Sequence, residues 1–435
     1  MDSGSPGARA PQGHATVLSS VSNLTNTVIG AGMLALPHAF ARMGWLLGTV
    51  LLLVCAATAG FGLHLIKRCE TRLGTQPRTF YDLTVDILPR AAWWVDAVIF
   101  IKCYGVCVSY LLISSRLMPQ VVLSFAHAAG TDRAGVPDVL MSHTLWAVVF
   151  AAALAPLCFL RRLDSLRGVG YVNIGAVVYL IAIMGVYAAV PGLLKELPTG
   201  GDARAVVFSV DILRVFPVIV FAYTCAQNII PVYNELADTS ERTADTVAAL
   251  SIGVSALVYL AVALLGYFSF GSFAPDNIVT MYPDTSLFVC FGKVSVILLT
   301  LTSYPLQLYP SRSSLHKVMY AGTHARGGAE ADERQQLMHD RGDTDDFPDT
   351  RWNVITTVLI LSTIAVSVAV GDLSLVLGLV GSFGSTAISF ILPALLYMTM
   401  FPEESAHRRA AKALAVWGAA VMVLTVSVTL VRLFW

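Results

Sequence analysis

Long apolar runs divide the chain into blocks of about twenty residues, the length that carries a helix across the core of a bilayer. Eleven runs are legible, at 18–41, 45–66, 94–117, 144–160, 169–191, 206–232, 247–270, 287–309, 353–371, 375–399 and 413–433. Their connectors are short except for 312–351, a polar and acidic stretch expected to form a mobile cytosolic loop. The pattern predicts an all-α polytopic membrane protein. Residues 1–17 are expected to be a disordered cytosolic tail, 18–399 a ten-helix core that includes the 312–351 loop, and 413–433 an eleventh transmembrane helix.

Two runs are interrupted by polar and small residues near mid-depth. Span one contains "NTVIGAGML", and span six reads "FPVIVFAYTCAQNIIPVYNEL" with prolines at 217 and 231. Spans one and six are five apart, so they cross in opposite directions. Interrupted helices at matching positions of two opposed five-span halves predict a five-plus-five inverted repeat with broken first and sixth helices. Backbone at membrane depth must be paired unless it lines a cavity and meets a ligand. Unwinding at Gly30 and Gly32 would free amides, which suit a carboxylate at the positive end of a half-helix. It would also free carbonyls, which suit an ammonium or a small cation. A molecule with both groups on neighbouring atoms is an α-amino acid. The expected substrate residues are Thr27, Gly30, Ala31 and Gly32 in span one, with Phe221, Tyr223, Thr224 and Gln227 in span six. The competing reading is that small residues and Asn/Thr here serve close helix packing.

Composition changes the picture little. The chain is 56% hydrophobic and 13% charged, against about a quarter charged for a soluble domain. Net charge is zero and says nothing about partners; no nucleic-acid partner is expected. Its distribution says more. Lys67, Arg68, Arg72, Arg161, Arg162, Arg312, Lys317, Arg408, Arg409 and Lys412 fall in segments on the N-terminal side, while the other side holds few Lys or Arg. The positive-inside rule therefore puts the N-terminus in the cytosol and the C-terminus in a lumen or outside the cell. Residues 1–17 lack the basic start and apolar core of a cleavable signal peptide. All seven cysteines fall in spans or at their ends, so no disulfide is expected. In the inner connector 67–92, "TFYDLTVDIL" places Phe80, Leu83, Ile87 and Leu88 on one face of a short surface helix.

The segments "SNLTNTVIGAGMLALPHAF", "FAYTCAQNIIPVYNEL", "TSYPLQLYPSRSSL" and "IKCYGVCVSYLLISSRLMP" together resemble the amino acid/auxin permease family. The similarity covers residues 16–400 and is nearest to the fungal vacuolar and the sodium-coupled neutral amino-acid branches. It implies cation-coupled secondary active transport of amino acids by alternating access, with Na⁺ or H⁺ as the coupling ion and no other cofactor. The family's ion site falls on Asn26 with Asn23 one turn earlier, and on Ser303 beside Thr302. Oxygen ligands of this kind suit a hard cation. Two positions depart from the pattern: Ala226 stands where vacuolar relatives usually carry a histidine, and Ser115-Arg116 where relatives often carry Gly-Asp.

Among other polar residues, Lys102 lies near the middle of span three and Lys293 nearer the outer surface, while Asp211 and Arg214 suggest a rim ion pair. His38 and His64 sit near span ends with no obvious partner. No acidic side chain occupies the centre of spans one, six or eight, so neutral amino acids fit best, carried by a monomer in the bilayer. A nutrient sensor on the same fold is the alternative from another class. A channel would need a continuous polar stripe, and no metal cluster, triad or phosphate loop supports an enzyme. In the 312–351 loop, Glu333 precedes Leu337-Met338 with the spacing of an acidic dileucine signal for a coat adaptor. With the vacuolar resemblance and the lack of outer-loop glycosylation acceptors, it favours a vacuolar or lysosomal membrane over the plasma membrane.

Overall fold

A computed structural model describes residues 15–74, 79–160, 169–194, 197, 201–324 and 349–434. Among them the chain is helical, with one isolated parallel bridge between Ala15 and Leu236. Nine helices among the described residues are long and apolar enough to cross a membrane. Two further expected spans complete the eleven: span one, which is broken, and span four, the shorter apolar helix His143–Cys158. Several helices overrun the limits read from hydropathy. Span two is Trp45–Leu73, span three Ala92–Ala128 and span eight Leu287–His324. Both ends of the expected 312–351 loop are therefore helix, and 325–348 lie outside the described residues.

Local sequence explains where helices begin and end. Thr16 accepts a hydrogen bond from Ser19 N at the start of span one, Ser240 from Thr243 N at span seven (Glu241–Phe270), and Asp372 from Leu375 N at span ten. Each oxygen takes up an amide that the first turn leaves unpaired. Gly44, at φ +85°, separates span one from span two in a conformation a side chain would oppose. The short surface helix is present as Phe80–Ile87 with a reciprocal capping box between Thr79 and Asp82, and its Phe80 and Leu83 are buried.

Both expected breaks are present. Span one runs as Val17–Val28, leaves the helical region at Ile29 and Gly30, then continues as a 3₁₀ turn at Ala31–Ala35 and a helix at Leu36–Met43. Span six runs as Asp211–Ala222, breaks at 223–225, and resumes through Ala226–Asn228 into Ile229–Glu235. Span ten is a third irregular element. Between Leu373–Leu379 and Leu392–Met400 it is π-helical, at Val380–Ser385 and Ala387–Ile391. Its neighbours approach on glycine: a Cβ at 381 would lie 1.9 Å from the Pro217 carbonyl oxygen, and one at 62 would lie 2.4 Å from that of Ser389.

Polar side chains bind the bundle at several depths. Arg312, 2% exposed, donates to Cys158 O at 2.7 Å and to Thr356 Oγ1 at 2.8 Å, with its guanidinium 3.3 Å from the Trp352 ring centre. It thereby ties span eight to span four and to span nine (Asp349–Ala369). Lys293 is fully buried, pairing with Asp284 and donating to Tyr282 O at 3.0 Å. An acidic partner within reach lets the ammonium stay buried. All seven cysteines are buried free thiols.

Candidate functional site

The first half of span one exposes a polar edge, and that edge forms one wall of a cavity of about 1120 Å³. Asn23, Asn26 and Thr27 recur at helical spacing and therefore share a face. Gly30, at the break, closes the end of that wall. The opposite walls come from Tyr110 in span three, Asn173 in span five (Val169–Ala189), Asn228 and Glu235 in span six, and Ser303 and Gln307 in span eight. Thr16, Gly170 and Glu235 mark the mouth, so the cavity runs from the break of span one to the end of the bundle that carries the N-terminus.

The other end holds a separate, smaller pocket of about 460 Å³, lined by His38, Arg42, Arg116, Asp211, Arg214, Asp276 and Asp372. Segment 204–207 is hydrogen-bonded to the turn 43–46, with Leu46 N donating to Ala205 O at 2.9 Å and Val207 N to Met43 O at 2.9 Å. Asp276 accepts from Leu373 N at 2.8 Å, which clasps the loop before span eight to the start of span ten. Arg214 and Asp211 form the rim pair at 2.8 Å. The large cavity opens on the N-terminal side, and the pocket at the other end is separate from it.

The structure divides the expected site residues into two groups. Asn23, Asn26, Thr27, Gly30 and Ser303 face the cavity. Ala31, Gly32, Tyr223 and Thr224 are buried behind the breaks instead. A Cβ on Gly32 would meet the Phe221 ring at 3.1 Å and Ala222 Cα at 3.4 Å, so Gly32 is where spans one and six press together. Thr224 donates its hydroxyl to Val220 O, while Gln227 Oε1 is buried without a partner among the described residues. Thr302 is turned away, donating to Leu298 O at 2.8 Å in its own helix. Its hydroxyl is spent within span eight, while Ser303 beside it lines the cavity. Glu333, Leu337 and Met338 lie outside the described residues.

Reasoning from sequence missed Asn173 and Gln307. Asn173 donates to Ser303 Oγ at 3.5 Å, and its own Oδ1 is buried without a partner among the described residues. Asn26 lies against span five at Gly170, one turn before Asn173, where a Cβ would stand 3.1 Å from Asn26 Nδ2. Asn26, Asn173 and Ser303 thus bring two side-chain amides and a hydroxyl from three spans to the cavity wall. Among the described residues no group of three His, Cys, Asp or Glu could hold a metal. Gln307 accepts from the buried Lys102 at 3.3 Å. The isolated Asn in "VGYVNIGAVVY" was the signal for Asn173; nothing local marked Gln307. The two histidines also have partners: His38 donates to Ala274 O at 2.8 Å, and His64 meets Asp245 at 2.8 Å.

Residues 13–433 match the family described as transmembrane amino acid transporter protein. The chain is 36% identical over 434 residues to vacuolar amino acid transporter 5 of Schizosaccharomyces pombe, an alignment covering 97% of this chain and 96% of that protein. It is 30% identical over 451 residues to vacuolar amino acid transporter 5 of Saccharomyces cerevisiae, covering 94% and 97%. Vacuolar amino acid transporter 6 of the same yeast is 28% identical over 461 residues, covering 96% and 99%.

Proposed function

The chain belongs to the transmembrane amino acid transporter family, and on that premise we propose that it carries neutral L-amino acids by cation-coupled alternating access. One observation carries the reading: a polar cavity runs from the N-terminal end of the bundle to the break of span one, with the resumed helix of span six as its facing wall. Half-helix ends at that point offer amides to a carboxylate and carbonyls to an ammonium. The cavity wall presents amides and hydroxyls, with Glu235 at the mouth as its one acidic lining residue. An uncharged side chain therefore fits better than a charged one.

Asn26, Asn173 and Ser303 are the proposed coupling-ion residues, because their oxygens are neutral, clustered and, at Asn173 Oδ1, unpaired among the described residues. That donor set favours Na⁺. Uptake into liposomes of a panel of amino acids, under an imposed Na⁺ and then a H⁺ gradient, tests both halves of the proposal. Asn26→Ala and Ser303→Ala should raise the Na⁺ concentration for half-maximal uptake about tenfold, the effect of one lost ligand or hydrogen bond, with a smaller change for the amino acid. Uptake that ignores Na⁺ and follows pH instead assigns coupling to protons.

The relatives named above are vacuolar, and the acidic dileucine spacing at Glu333, Leu337 and Met338 would suit an adaptor. We therefore place the protein in a vacuolar or lysosomal membrane, N-terminus in the cytosol and C-terminus in the lumen. Symport with the ion would then export amino acids to the cytosol. Changing Leu337 and Met338 to Ala should move a fluorescently tagged protein to the cell surface; the same distribution for both forms removes the sorting signal from the proposal.

A further inference from the structure

Tyr259, in the middle of span seven, is fully buried, and its hydroxyl reaches both breaks at once. It lies 2.6 Å from Val28 O and 2.8 Å from Ala222 O. Val28 is the last residue of the first half of span one, and Ala222 the last of the first half of span six. A helix ends in unpaired carbonyls that carry a partial negative charge of about half an electron. Two such ends therefore converge on one side chain. The Tyr223 ring stands edge-on to Tyr259 at 5.3 Å and closes the group from another side. Tyr259 does not line the cavity, although Ile29 and Gly30 beside Val28 do.

We infer that Tyr259 is a positioning residue of the substrate-free carrier: its hydroxyl serves the carbonyl ends of both broken spans, which the substrate's ammonium takes over when substrate binds. The inference rests on the amino-acid reading of the site given above. Its chemistry is a matter of counting protons. A phenol has one to donate, so it satisfies one carbonyl fully while the other shares the contact. An ammonium has three, and its charge strengthens each bond it makes. It can serve both carbonyls together, which gives the loaded site an advantage over the tyrosine. With no substrate present, buried carbonyls without a donor are costly, and the hydroxyl is the donor at hand.

The two states therefore depend on Tyr259 differently. Net transport requires the empty carrier to return across the membrane; exchange of one substrate molecule for another does not. Tyr259→Phe should slow net uptake into empty liposomes by about tenfold, the factor one neutral hydrogen bond supplies. Exchange into liposomes preloaded with the same amino acid should stay within about twofold of wild type on the same reasoning. Tyr267→Phe makes the same chemical change two turns along the helix, where the hydroxyl accepts from Arg204 N at 2.8 Å away from the cavity, and should leave the ratio of the two rates as in wild type. Equal loss of net uptake and exchange in the Tyr259 variant overturns the inference, as does no loss of either. Failure of that variant to accumulate while the Tyr267 variant does also overturns it, since the residue would then serve assembly. Wild type that shows neither net uptake nor exchange of any amino acid would instead sink the transport reading itself.

Discussion

Gly32→Val is expected to lower the transport rate by about a hundredfold while the protein still reaches the membrane. The reason is the contact between the broken spans. At position 32 even a Cβ would stand 3.1 Å from two atoms of the Phe221 ring and 3.4 Å from Ala222 Cα, and valine adds two more methyls. Overpacking of this kind costs about 1–3 kcal/mol. Here it falls where the two breaks must meet, so it acts on the transporting conformations more than on the surrounding bundle. Gly30→Ala provides the contrast. Its Cβ would find only Tyr110 Oη, at 3.8 Å, and would project toward the cavity. It should weaken substrate affinity with a much smaller effect on maximal rate. Initial-rate uptake over a range of substrate concentrations separates the two outcomes, and a Gly32→Val protein with wild-type rates would refute the packing role.

Arg312→Leu should be the most damaging single change to stability, by about 3 kcal/mol, because it leaves buried acceptors unpaired. The guanidinium serves Cys158 O at the end of span four and Thr356 Oγ1 in span nine, and sits over the Trp352 ring. Leucine restores neither bond. Arg312→Lys keeps the charge but has no planar fork to reach two acceptors while stacking on a ring, so it should rescue only part of the loss. The soluble fraction remaining after graded heating in detergent, read by size-exclusion fluorescence, gives the order wild type, lysine variant, leucine variant. A leucine variant as heat-resistant as wild type would show that the network adds nothing.

Hydropathy was a good guide to the spans because lipid imposes one coarse requirement, an apolar length, that survives almost any local detail. The breaks were legible for the opposite reason: Gly30 and Gly32 among Asn and Thr are out of place in a plain membrane helix. The same letters did not tell which way each residue faces. Gly32 turned to the neighbouring helix and Gly30 to the cavity, although two positions apart, because their orientation depends on a partner span distant in sequence. The π-helical run of span ten carried no local mark, since "VGSFGSTAISFI" reads as an ordinary apolar stretch with small residues. Partnerships such as His64 with Asp245 or Lys102 with Gln307 join residues far apart in the chain, and only the assembled bundle brings them together.

Span ten has a mechanical meaning beyond its odd geometry. Glycines or bare backbone face it from several sides: Gly62 on Ser389 O, Gly105 on Val380, Gly381 on Pro217 O, Gly384 on Lys102 and Gly418 on Phe390 and Ile391. A missing methyl at each of these points brings the helices closer than ridges set into grooves allow. Span ten is thus a keystone with no slack around it: a methyl added at Gly62, Gly105, Gly381 or Gly384 would have to push a neighbouring span away.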